Sequence, residues 1–175
     1  MGNIKVYVDS NVLSSIPDPE IDLSRLDAFN ELAELENIDF VTSRKTRDEI
    51  YKTQDEDRLS RLKMIYKFMA KIQTANIKDF IPAMLGNSCL GSMALGGMTV
   101  EDPLYYKLKK VFDKDDAAHI FHAIKAHCDY FLTWDKKTIL KRAKRHAEQL
   151  NDLNLAIKLV SPEELIQIFR KDGSQ

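Results

Sequence analysis

Residues 115–137, DDAAHIFHAIKAHCDYFLTWDKK, constrain the fold more than any other stretch of this chain. Asp116, Ile120, Ala123, Ile124 and His127 recur at helical spacing. Cys128 and Asp129 break that period, and Tyr130-Phe131-Leu132-Thr133 is a short apolar run suited to a buried central strand. Asp135 falls just past the carboxyl end of that strand. In an open α/β sheet, that end is where ligands bind.

The rest of the chain repeats the alternation. Residues 4–8 form a β-branched and aromatic run that stops abruptly at Asp9-Ser10-Asn11, residues that prefer turns and caps. Asp9 is therefore either a cap or an acid projecting from the strand's carboxyl end. An amphipathic helix is expected over 22–36, a strand over 38–41, and a helix from 42–43 that carries Glu49. A longer helix spans 55–73, and 104–112 reads as another. Residues 136–150 form a basic helix and 155–160 a last strand. Ser161-Pro162-Glu163-Glu164 then opens a closing helix to about residue 170, with Ser as cap and Pro at its first position. Strands alternating with helices predict a three-layer α/β/α sandwich around a mostly parallel sheet.

A single domain over 1–175 is expected, interrupted by a flexible insertion at about 76–103. That segment contains GNSCLGSMALGGM, whose glycines match no phosphate-binding loop. Charged residues make up 30% and nearly cancel to a net charge of -1, so no global basic field points to nucleic acid. A local patch remains open, because Lys136, Lys137, Lys141, Arg142, Lys144 and Arg145 crowd together just after Asp135. Lys136, Lys137, Lys141 and Arg142 are the candidates for meeting phosphates. Cys89 and Cys128 form no CxxC pair, which argues against zinc and fits a reducing, cytoplasmic setting. No signal-peptide pattern and no membrane-spanning apolar run are visible.

The chemistry lies in the acids. Asp9 and Asp135 end two strands, and Asp115-Asp116 begin a helix. Carboxylates gathered at one sheet edge repel one another unless a cation sits among them. Hard oxygen donors without a thiolate or imidazole set suit Mg²⁺ or Mn²⁺, which lower the pKa of bound water and neutralise a scissile phosphate. Neighbouring helical residues point about 100° apart, so only one of Asp115 and Asp116 faces the sheet. Asp116 shares its face with Ile120 and Ala123 and is the ligand; Asp115 is a cap or a supporting group on the more polar face with His119 and His122. Those two histidines read as satisfied or surface residues rather than a metal pair. Ser10, Asn11 and Thr133 are expected to orient the carboxylates.

Three blocks of this sequence resemble the PIN domain family of small Mg²⁺/Mn²⁺-dependent nucleases. VYVDSNVL is similar to the family's opening strand and its acid, TSRKTRDEIYK to the segment holding the second acid, and DAAHIFHAIKAHCDYFLTWDKK to the block holding the third and fourth. KLVSPEEL resembles the closing strand. The resemblance implies a metal site built from Asp9, Glu49, Asp116 and Asp135, with Glu49 entering on this ground alone. It implies an endoribonuclease acting on RNA, with a toxin–antitoxin role and an antitoxin protein as partner. A homodimer is the expected assembly. The alternatives are a non-catalytic RNA-binding or assembly module on the same fold, and a DNA flap-type nuclease.

Overall fold

The computed structural model describes residues 3–16, 18, 21–52, 54, 56–60, 62, 102–153 and 155–172. Four strands, β1 (Ile4–Val8), β2 (Ile38–Val41), β3 (Tyr130–Leu132) and β4 (Lys158–Val160), form one all-parallel sheet in the order β2-β1-β3-β4. From β1 the chain winds outward to β2, and from β3 it winds the other way to β4. The carboxyl ends of β1 and β3 therefore flank a topological switch point, the crevice where such sheets bind ligands.

Alternation along β1 explains why helices cover both faces. Val6 and Val8 join one apolar core with Leu132 and Val160, while Tyr7 joins the other with Val41 and Phe131. Tyr7 stacks on Phe131 across the strand pair, ring centroids 5.3 Å apart. Helices α1 (Ser10–Ser15), α2 (Leu23–Ala33) and α8 (Pro162–Asp172) supply Val12, Leu13, Phe29, Leu32, Leu165 and Ile166 to the first core. The second takes residues from α4 (Pro103–Leu108), α5 (Lys114–Lys125), α6 (Ile139–Arg145) and α7 (Ala147–Asp152). Helix α3 (Arg44–Tyr51) follows β2. The α/β class and the parallel sheet are as the sequence predicts, and cores on both faces are compatible with three layers.

Local chemistry sets the element ends. Helix α5 begins at Lys114, two residues ahead of Asp116; Asp113 holds its N-cap position but makes no side-chain cap bond. It closes with His127 at φ 55, where Cys128 N–H donates to the Ala123 carbonyl and His127 N–H to that of Ile124, a Schellman motif. This sharp stop is the break read at Cys128-Asp129. The basic helix expected over 136–150 is instead two, α6 and α7, hinged at His146. Its first turn is absent because the Asp135 carboxylate takes the backbone N–H groups of Lys137 and Thr138 into a turn. At α8, Ser161 Oγ accepts from Glu164 N–H and the Glu164 carboxylate accepts from Ser161 N–H, a capping box.

Asp102 caps α4, with Pro103 at its first position. The helix expected over 55–73 is seen at 56–60 and Leu62, which is buried in the first core. Its remainder, and the proposed insertion up to 101, lie outside the described residues. Among the described residues, no helix is long and apolar enough to cross a membrane.

Candidate functional site

Asp9 lies at the seam between the two central strands. Its backbone N–H donates to the Leu132 carbonyl, so the β1–β3 ladder reaches the acid itself. The side chain is buried, with Oδ1 accepting from Ser10 N–H at 2.7 Å and Oδ2 from Thr133 Oγ1 at 2.9 Å. Asp9 is thus both the cap of α1 and an acid at the switch point. Burial pushes its carboxyl above the usual range, against the His119 charge and the Thr133 and Ser10 hydrogen bonds; the Glu49 charge adds to the rise.

Thr133 is the junction of the site. Its hydroxyl donates to Asp9 and accepts from Asn11 Nδ2 at 2.7 Å and from Asp135 N–H at 3.1 Å. One proton and two lone pairs are all it has. Asn11 is tied back through its carbonyl oxygen, which accepts from Trp134 N–H at 3.0 Å. These contacts tie Asn11 and Thr133 to the Asp9 carboxylate and to the backbone of Trp134 and Asp135.

Glu49 reaches the site from α3 and is held from two sides. His119 Nε2 lies 2.8 Å from Glu49 Oε1, and Lys45 Nζ lies 3.1 Å from the same oxygen. Burial alone would raise this carboxyl, but the His119 bond and charge, with the Ser10 and Lys45 contacts, hold it at about 2. An ionised carboxylate only accepts, so Nε2 donates. His119 Nδ1 lies 2.9 Å from the buried Tyr7 hydroxyl, which donates to Ser43 Oγ at 2.7 Å. Asp115 is exposed and reaches the site only through Lys45, 2.7 Å away. It supports the cation that holds Glu49 and makes no cap.

His119 is therefore a satisfied, buried histidine, and its face of α5 turns to the sheet rather than to solvent. Its link to Glu49 was not readable from spacing; the signal available was its place one turn beyond Asp115-Asp116. His119→Ala should lower unfolding free energy by about 2–4 kcal/mol, because it opens a cavity and strips Glu49 of one of its donors. His119→Gln, which restores a donor, should recover part of that loss in a urea titration.

Asp116 carries the electrostatic signature of convergence. Burial first, and then the charges of Asp9, Asp135 and Asp113, together raise its carboxyl to about 6. Asp135, by contrast, lies below the usual range: its burial penalty is outweighed by hydrogen bonds from the Thr138 hydroxyl and from the N–H groups of Thr138, Lys137 and Ile139. The two acids thus shift in opposite directions, Asp116 up by burial and like charge, Asp135 down by hydrogen bonding.

The basic run divides. Lys136 lies 3.5 Å from Glu163 and Lys144 3.4 Å from Glu164, while Arg142 pairs with Asp113 at 2.7 Å. Lys137 and Lys141 are exposed and make no ion pair among the described residues. Cys128 is buried, its thiol pushed up to about 12 by desolvation, which removes it as a nucleophile or soft ligand at neutral pH.

Among the described residues, no three His, Cys, Asp or Glu side chains stand as a ready-made metal cage. The donor chemistry nevertheless suits a hard cation. Asp9 is influenced by Glu49, and Asp116 by Asp9 and Asp135, so all four acids are electrostatically linked. Like charges that raise a carboxyl's proton affinity also favour a divalent ion among them. Comparison with protein-family models, curated proteins and solved structures finds no match in any of the three.

Proposed function

We propose that the chain is a PIN-like, divalent-metal-dependent endoribonuclease with a three-layer α/β/α architecture. The observation that carries this reading is that Asp116 on α5 feels the charges of Asp9 and Asp135, the acids that follow β1 and β3, which together with burial raise its carboxyl to about 6. Asp9, Glu49, Asp116 and Asp135 would hold Mg²⁺ or Mn²⁺, which would neutralise charge on the scissile phosphate and acidify the attacking water. Thr133, Asn11 and Ser10 fix the Asp9 carboxylate, and His119 and Lys45 fix that of Glu49. Lys137 and Lys141, with Lys136 and Arg142 at closer range to acids, would meet the RNA backbone. A cytoplasmic homodimer acting as a toxin, silenced by an antitoxin protein, is the biological form of this proposal. Growth arrest on expression, absent for Asp9→Asn, would support it.

Mn²⁺ titration by calorimetry tests the site, with Asp116→Asn as the comparison. Wild type should bind and the variant should lose binding. Without metal, the same substitution should stabilise the fold. The folded state holds a proton on Asp116 up to about pH 6 against 3.8 for an ordinary aspartate, so stability falls as pH rises through that window. Above it, Asp116→Asn should gain about 1 kcal/mol, a figure discounted for solvent screening. Below pH 4 the gain should vanish. A thermal melt in EDTA at the two pH values checks this.

A second reading, an RNA-binding module without catalysis, draws on the prior engagement of Glu49 by His119 and Lys45. It predicts RNA binding with no Mn²⁺-dependent cleavage.

A further inference from the structure

We propose that Tyr106, with Lys107, Lys110 and Lys114, forms a stacking platform that delivers single-stranded nucleic acid to the acids. This inference rests on the nuclease reading and names its substrate track. Tyr105 and Tyr106 are adjacent in α4, yet Tyr105 is buried and Tyr106 is 53% exposed. Packing of α4 uses only the first. Among the described residues, Tyr106 and Leu23 are the exposed large hydrophobic side chains. Tyr106 lies among cations, with Lys110 Nζ 4.8 Å and Lys109 Nζ 6.0 Å from its ring centroid.

The stretch just after Tyr106 is basic, up to Asp115-Asp116. Residues 107–114 contain four lysines and one acid, Asp113, in a chain whose overall charge is -1. Asp113 is already taken by Arg142 at 2.7 Å. Lys107, Lys110 and Lys114 are exposed and have no acidic partner among the described residues. The Arg142–Asp113 pair also fixes the position of the patch. It ties the α4–α5 junction to α6, the helix that follows Asp135 and whose Lys141 makes no ion pair among the described residues. The basic surface bearing Tyr106 is thereby joined, through the Asp113–Arg142 pair, to the helix that begins just after Asp135.

The occupant follows from the two chemistries together. Lysines without acidic partners suit a polyanion, and a half-exposed ring beside the Lys110 ammonium suits a flat π-surface. Single-stranded RNA or DNA offers both, whereas a duplex hides its base faces and an acidic peptide has no bases to stack.

The test uses the full chain in EDTA and a fluorescein-labelled single-stranded RNA of about twelve nucleotides, within the span of such grooves. Anisotropy should show Tyr106→Ala weakening binding about tenfold, with Tyr106→Phe close to wild type. Replacing Lys110 and Lys114 together by Ala should reduce the slope of log affinity against log salt by about 1.4. A DNA strand of equal length should bind comparably, and the matching duplex more weakly. Unchanged binding by Tyr106→Ala, equal affinity for duplex, or capture of polyglutamate or phosphatidylserine vesicles in preference to RNA would overturn the platform. Tyr106-dependent RNA binding without Mn²⁺-dependent cleavage would sink the nuclease reading instead. Cleavage with binding indifferent to Tyr106 would do the reverse.

Discussion

Asp9→Asn is expected to reduce Mn²⁺-dependent RNA cleavage by at least about 100-fold while leaving the chain folded. Loss of groups that merely orient metal ligands already costs about 10–100-fold, and Asp9 is placed as a ligand itself. The fold should survive because two effects oppose each other. Removing the charge relieves a buried carboxylate whose desolvation is its largest perturbation. Against that, the new amide meets donors on both sides, Ser10 N–H at one oxygen and the Thr133 hydroxyl at the other. Whichever way the amide turns, one donor faces a donor, a mismatch of about 1–3 kcal/mol. Binding of RNA in EDTA should persist, since the change only removes negative charge. Cleavage by Asp9→Asn at the wild-type rate, in a preparation free of contaminating nuclease, would falsify the assignment of Asp9 to the metal.

The acids Asp9 and Asp135 were legible because strand ends are. Short apolar runs stopped by Asp-Ser-Asn or Thr-Trp-Asp mark where a strand leaves the core, and parallel pairing then brings those ends together. β1 and β2 have the predicted bounds for the same reason. Glu49 was different. Nothing in its helix distinguishes it from a solvated glutamate, and only resemblance raised it. What fixes it in space is His119, 70 residues away in sequence, whose ring spans from Tyr7 to the carboxylate. Such a contact leaves no local periodicity to read. Residue type makes the helix face carrying Asp115, His119 and His122 read as polar, yet His119 is buried against the Tyr7 hydroxyl while Asp115 stays exposed. The basic helix was misjudged for a related reason. Helical spacing continues through 136–138, but the Asp135 side chain competes for those backbone N–H groups and wins.

Thr133→Val is expected to lower unfolding free energy by about 3 kcal/mol, although it keeps shape and volume close to the original. Thr133 is fully buried, and its hydroxyl uses its whole hydrogen-bonding capacity. Valine leaves Asn11 Nδ2, Asp135 N–H and Asp9 Oδ2 each short of a partner, and an unmet buried polar group costs about 1–3 kcal/mol. The sum is smaller than three such terms, because Asn11 keeps its bond to Trp134 N–H and Asp9 keeps Ser10. Thr133→Ser retains the hydroxyl and should lose only the methyl group's packing, about 1 kcal/mol. Urea midpoints for the two variants therefore separate hydrogen bonding from packing. The same pair separates stability from metal binding: Thr133→Val should weaken Mn²⁺ affinity about 10–100-fold, as loss of a ligand's orienting partner does, and Thr133→Ser should leave it nearly unchanged. Equal destabilisation by Val and Ser would mean that the methyl group, and not the hydroxyl junction, holds the β1 and β3 ends together.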